Sequence, residues 1–301
     1  MFQRILVPLD GSPRAEAALA PARSLAERFG AGLFLVRTIL VHVFPGAEPG
    51  PAQLEALREA EGYLDAIANR IRKTGISVRT AIPYDSPTLG IADQAEFRHV
   101  DLIVMNTHAR KWSDTLLHPS VTMGVLEHTT APILALKGAK EGVGQPQLPR
   151  FMTNPDAPII VPLDGSLLAE SAFPLAEELS KTFGNRLLLI RAVGRPRMAS
   201  TSLDNPTIIA KVEEWAIQET QSYLQRKQQE VAHRGGRVTT ETSVGAPAWF
   251  IEECVQAHHA GLVVMASHGR SGLGRFLLGS VAQTVLRESE VPVLLVRLHE
   301  P

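Results

Sequence analysis

The sequence predicts an α/β protein of two similar domains, each an open, mostly parallel five-stranded sheet with helices on both faces. Three observations predict it. The first half of the chain recurs in the second: ILVPLDGS at Ile5–Ser12 returns as IIVPLDGS at Ile159–Ser166, and VDLIVMNTH ending at His108 returns as AGLVVMASH ending at His268. The candidate strands are continuously apolar, as strands buried on both faces must be. They also alternate with helical patterns, which is the order of βαβ units. A repeat of roughly 150 residues is a duplicated domain, far longer than a solenoid unit.

Each half opens on a short apolar run, Arg4 to Leu9 or Pro158 to Leu163, that meets the turn DGS. An amphipathic helical stretch follows and stops at Gly30 or Gly184, because glycine readily takes the left-handed conformation that closes a helix. The second strand is LFLV (Leu33–Val36) or LLLI (Leu187–Ile190). A variable loop containing FPGAEPGP or GRPRMASTSLDNP leads into a long helix. That helix is read from Leu54, Leu57, Leu64, Ile67 and Ile71 in one half, and less regularly from Val212, Trp215, Tyr223, Leu224 and Val231 in the other. A third strand follows (Ile76–Ile82, Arg237–Val244), then a helix opened by Pro87 or Pro247, where a first-turn proline is harmless. A fourth strand (Leu102–Met105, Leu262–Met265), another helix and a last strand within APILAL or VPVLLV complete each half. Between the halves, Lys137 to Ala157 is rich in glycine and proline and has no sustained apolar period, a linker composition. The expected boundaries are residues 1–138, a linker at 139–156, and residues 157–301.

Bulk composition narrows the function. At 301 residues the chain can bury two sizeable cores, and 45% hydrophobic with 20% charged residues is the balance of a globular protein. Thirty basic against thirty-one acidic side chains give a formal charge of -1, so no global field recruits nucleic acid or an anionic membrane. No apolar run reaches the length of about 18 residues that suggests a membrane span, and the first residues lack a signal-peptide pattern, so a cytoplasmic protein is expected. The single cysteine, Cys254, cannot form an internal disulfide and reads as a buried, inert thiol on a helix.

Ligands of open parallel sheets lie beyond the carboxyl ends of the strands. Three segments of each half converge there: the turn after the first strand, the end of the second, and the loop after the fourth. In the second half that last loop is SHGRSGLGRFLLGS, Ser267 to Ser280. Glycines let backbone amides approach an anion, although the same residues also suit a plain surface loop. Ser280 stands where a helix begins, and Gln283 three residues on completes an S-x-x-Q capping box. The positive end of that helix favours phosphate. Asp164, in the turn after the first strand, can accept hydrogen bonds from a ribose hydroxyl or an adenine amine, or cap the next helix, and the two roles are not exclusive.

With Gly269, nine intervening residues, then Gly279 and Ser280, the second half resembles the universal stress protein family. Its ATP-binding members carry glycine, two residues, glycine, nine residues, then glycine followed by serine or threonine; only the first glycine differs, being Ala266. The resemblance spans both halves and implies a tandem member with a Rossmann-like, adenine nucleotide alpha hydrolase-like fold. It further implies that Pro162, Leu163 and Asp164 line the adenosine side, with Ala192 beside the adenine. Met265, Ala266, Gly269, Arg270, Gly279, Ser280 and Val281 would surround the phosphates of ATP or AMP, any Mg2+ arriving with the nucleotide. Pairing through the last strands would make the two halves an intrachain pseudo-dimer, with homodimerisation of whole chains left open.

The first half departs from the same pattern. It has Asn106, Ala109 and Pro119 at the glycine positions, keeps Ser120, and carries Trp112 and Asp114 in place of Gly272 and Gly274. Proline has no amide hydrogen to offer a phosphate, and a carboxylate repels one. One competent nucleotide site per chain is therefore expected. The chain has no G-x-x-x-x-G-K-[ST] loop, no G-x-S-x-G elbow and no paired ligands at zinc spacing, and His108, His258, His259 and His268 read as ordinary hydrogen-bonding residues. No catalytic residue and no metal ligand are assigned. The expected function is a nucleotide-binding regulatory protein of the stress response, with slow ATP hydrolysis at most; the alternative is an interaction module whose sites are vestigial.

Overall fold

The computed structural model describes residues 2–40, 50–107, 121–137, 148–194, 206–267 and 278–297, with backbone only for 206–209. The chain forms two compact units, one within Met1–Leu148 and one within Pro149–Leu298. In the first, the described elements run β1 (Arg4–Pro8), α1 (Pro13–Glu16), α2 (Leu19–Phe29), β2 (Gly32–Val36), α3 (Pro51–Arg72), β3 (Val78–Ala81), α4 (Pro87–Phe97), β4 (Leu102–Thr107), α5 (Val121–His128) and β5 (Ile133–Lys137). The second unit begins with α6 (Arg150–Thr153). It continues with β6 (Ile159–Pro162), α7 (Leu167–Glu170), α8 (Phe173–Phe183), β7 (Leu187–Val193), α9 (Pro206–His233), β8 (Val238–Val244), α10 (Pro247–Ala257), β9 (Leu262–Ala266), α11 (Ser280–Glu288) and β10 (Val293–Val296).

Within each unit the strands are parallel, in the order β3-β2-β1-β4-β5 and β8-β7-β6-β9-β10. The expected pair of five-stranded parallel sheets is therefore present. Strand order reverses between β1 and β4, and again between β6 and β9, which opens a crevice at their carboxyl ends. Ile5, Leu6 and Val7 of β1 and Ile159, Ile160 and Val161 of β6 are wholly buried, as continuously apolar strands covered on both faces should be.

Gly30 and Gly184 close α2 and α8 in the left-handed conformation, with φ of 66° and 74°. The stretches ahead of them are broken. Ser12 and Ser166 each cap a single turn by accepting from Ala15 N and Ala169 N, both at 3.1 Å, before the main helix starts at Leu19 or Phe173. In the long helices the apolar period continues past the core: Leu64, Ile67, Ile71, Tyr223, Leu224 and Val231 are buried, whereas Leu54, Val212 and Trp215, in the N-terminal parts, are exposed. Arg150–Thr153, in the stretch of linker composition, folds as one helical turn that buries Phe151 completely, its ring edge-on to Phe183 at 5.4 Å.

Candidate functional site

A cavity of about 730 Å³ opens beyond the carboxyl ends of β6, β7 and β9, where the strand order of the second unit reverses. Of the eleven positions expected to form a site, nine line it: Pro162, Leu163, Asp164, Ala192, Met265, Ala266, Gly279, Ser280 and Val281. Gly269 and Arg270 lie outside the described residues.

The turn after β6 is built around Asp164. Its Oδ1 accepts from Ser166 N at 2.9 Å and from Ser166 Oγ at 2.6 Å, and that serine in turn caps α7. The carboxylate thus orients the cap without being it. Asp10 holds Ser12 N in the same way at 2.8 Å in the first unit.

At the far side of the cavity, α11 starts differently from expectation. Ser280 is its first helical residue and Gly279 occupies the capping position, with no side-chain cap, so the S-x-x-Q capping box does not form. The Gly279 amide donates to Ser267 O at 2.9 Å, which ties the cap to the end of β9, and Gln283 N donates to Gly279 O at 2.8 Å. With glycine as the cap residue, the first-turn amides and the positive end of the helix lie at Ser280, Val281 and Ala282, all on the cavity wall.

Reading the sequence missed one feature of this wall. Arg191, at the end of β7, is buried; its Nη2 lies 3.6 Å from Glu219 Oε2 and its Cζ 5.0 Å from the centre of the Tyr223 ring. Both Arg191 and Glu219 line the cavity. Tyr223 donates to Glu170 Oε1 at 2.8 Å, and Lys227 Nζ lies 2.8 Å from Glu170 Oε2. Burial first, and the Glu170 carboxylate second, push the Tyr223 hydroxyl above its ordinary range. For Glu170 itself burial acts upward, but the hydrogen bonds from Lys227 and Tyr223 prevail and hold its carboxyl low.

The first unit repeats the arrangement: Arg37 Nη2 stands 3.0 Å from Glu59 Oε1, its Cζ lies 4.9 Å from the Tyr63 ring centre, and Tyr63 donates to Glu16 at 3.1 Å. The signal was in the repeat, since arginine, both glutamates and tyrosine recur at matching positions.

The corresponding cavity of the first unit is about 280 Å³. Asn106, at the position of Ala266, lines it and donates its side-chain amide to the carbonyl of Arg14, also on the wall. Ala109, Trp112, Asp114, Pro119 and Ser120 lie outside the described residues.

Cys254 is buried on α10, 3.7 Å from Glu241 Oε2, and burial followed by that carboxylate pushes its thiol up to about 12. A thiol held protonated is a poor nucleophile. Among the described residues no group of three or more His, Cys, Asp or Glu side chains could hold a metal ion, and no helix is long and apolar enough to cross a membrane.

Fold and cavity together define a tandem α/β protein with two copies of one parallel-sheet domain. The chain belongs to the universal stress protein family, whose sequence profile matches residues 1–137 and 157–297. A universal stress protein of Methanocaldococcus jannaschii is 32% identical over 145 residues, covering 46% of this chain and 81% of that protein. One of Mycobacterium tuberculosis is 24% identical over 304 residues, covering 97% of this chain and 96% of the relative, so the tandem arrangement is shared. The crystal structure of a universal stress protein from Archaeoglobus fulgidus superposes with a TM-score of 0.69 at 20% identity, covering 99% of this chain and 97% of that one.

Proposed function

We propose that this universal stress protein binds an adenine nucleotide, ATP or AMP, in the cavity of its second unit, and acts as a nucleotide-dependent regulator of the stress response. The observation that carries the reading is the convergence of nine motif positions, drawn from β6, β7, β9 and α11, on one cavity. Its volume of about 730 Å³ falls in the range of small-molecule sites. The uncapped start of α11 suits the phosphates, Asp164 suits a ribose hydroxyl, and any Mg2+ enters on the nucleotide. We read the protein as a sensor of the bound nucleotide, with hydrolysis slow at most.

Calorimetry of the full chain with ATP, AMP and adenosine tests this. One site per chain is expected, weakened at least about ten-fold by Gly279→Leu, which puts a branched side chain on the phosphate side. No heat of binding at millimolar nucleotide would sink the proposal.

A further inference from the structure

The cavity of the second unit has an aromatic wall that the nucleotide motif does not include. Trp215 of α9 and Phe250 of α10 both line it, whereas the first-unit cavity has no aromatic residue on its described wall. Aligning the repeat sets Trp215 against Glu55, Phe250 against Gly90, and Ala192 against Thr38. The last two of these exchanges are spatially linked. A Cβ on Gly90 would lie 2.8 Å from Thr38 Cγ2 and 3.1 Å from Pro83 Cγ, so the first unit has no room for a side chain there. In the second unit alanine replaces that threonine, and both this alanine and the phenylalanine line the cavity.

Trp215 is 67% exposed, although tryptophan is highly buried on average and large apolar surface in water is costly. It stands one helical turn ahead of Glu219, and Ala216, Glu219 and Thr220 of the same helix face also line the cavity. A largely exposed indole on a cavity wall offers its π face to a planar ligand. It occurs in the half that has the glycine-rich loop and not in the other.

We propose that Trp215 stacks on the base of the bound nucleotide and sets the preference for purine over pyrimidine, with Phe250 as the apolar wall of the base compartment. This rests on the nucleotide reading above. A purine presents a larger π surface than a pyrimidine and gains more from the stack, and the stack persists when phosphates are removed.

The test is calorimetry of the full chain with ATP and with CTP, for the wild type, Trp215→Phe and Trp215→Ala. A second measurement follows Trp215 fluorescence in a Trp112→Phe, Trp249→Phe background. Trp215→Ala should lose about ten-fold or more in ATP affinity, in line with base–aromatic stacking elsewhere, while Trp215→Phe stays within about three-fold. The ATP-over-CTP ratio should fall toward one in Trp215→Ala, and ATP should quench the Trp215 emission. Because the side chain is exposed, both variants should keep the wild-type unfolding midpoint. Unchanged ATP affinity in Trp215→Ala overturns the stacking role and leaves the nucleotide reading standing. Equal losses for ATP and CTP show a merely structural role and overturn it as well. Absence of nucleotide binding by the wild type overturns both.

Discussion

Gly165 shows how one residue shapes the wall of the cavity. Its φ of +87° is left-handed, and a Cβ there would lie 3.1 Å from Nη1 of the buried Arg191, a guanidinium held by Glu219 and Tyr223. Gly165→Ala should therefore combine backbone strain with displacement of Arg191, costing about 2–3 kcal/mol in urea unfolding. Gly11→Ala is the control. It shares the strain at φ +86° but meets the Arg37 guanidinium only at 3.8 Å, and should cost about 1 kcal/mol less. Glu170 carries a pH signature. Its carboxyl is held below 4.5 in the folded protein, chiefly by Lys227 and Tyr223 against the opposing effect of burial. A depressed carboxyl contributes stability above the unfolded value and loses it as pH falls through the folded one. Glu170→Gln should thus be destabilised by about 1–2 kcal/mol at neutral pH, and the gap should close as pH drops below 4.5. Unfolding curves measured from pH 7 to pH 3 would show a constant gap if that account is wrong.

Among the elements, strands and the proline-opened starts of α4 and α10 were legible, and the start of α11 was not. A strand buried on both faces writes itself as an apolar run, so β1, β2, β4, β6 and β9 were readable within a residue or two, whereas β7 continues through Arg191 to Val193, three residues past its apolar run. A helix start depends on which amide a neighbouring strand claims. Gly279 donates to the end of β9, and that tertiary bond, invisible in a local S-x-x-Q pattern, makes Gly279 the cap instead of Ser280. The N-terminal parts of α3 and α9 carry apolar residues that periodicity assigns to a core, yet in α9 one of them, Trp215, is exposed and lines a cavity. Composition similarly hid α6, because proline and glycine around it outweighed the two apolar residues it buries, Phe151 and Met152. The contact that fixes α6 is close: a Cβ on Gly261, just before β9, would lie 2.6 Å from Phe151 N and 2.8 Å from its Cα. Backbone cannot yield as a flexible side chain does. Gly261→Ala should cost about 2–3 kcal/mol and displace α6, seen as early proteolytic cleavage near Arg150 at temperatures where the wild type resists.

At the scale of the whole molecule, the duplication supplies its own control. Both units keep the strand-reversal crevice, the Asp-Gly-Ser turn and the arginine–glutamate–tyrosine cluster, so these features do not distinguish one half from the other. What differs sets the second unit apart as the one proposed to bind: the glycine-rich loop, Ala192 with Phe250, Trp215, and a cavity of about 730 against 280 Å³. The sequence made the loop asymmetry visible, but the aromatic wall needed the cavity to connect α9 with α10. A ligand that binds one unit stabilises that unit by mass action, by about 2.7 kcal/mol at a hundred times its dissociation constant, and slows the opening of the backbone it touches to match. Hydrogen exchange with saturating ATP should therefore protect peptides spanning Pro162–Ser166, Arg191–Gly194 and Gly279–Ala282 by up to about a hundred-fold. The counterpart peptides at Pro8–Ser12 and Val121–Thr122 should exchange as in the free protein. In the first unit Asn106 is engaged with the Arg14 carbonyl, and the cavity is about 280 Å³ against about 730 Å³ in the second. Equal protection of both units would mean that two sites exist and that the differences between the halves do not decide binding.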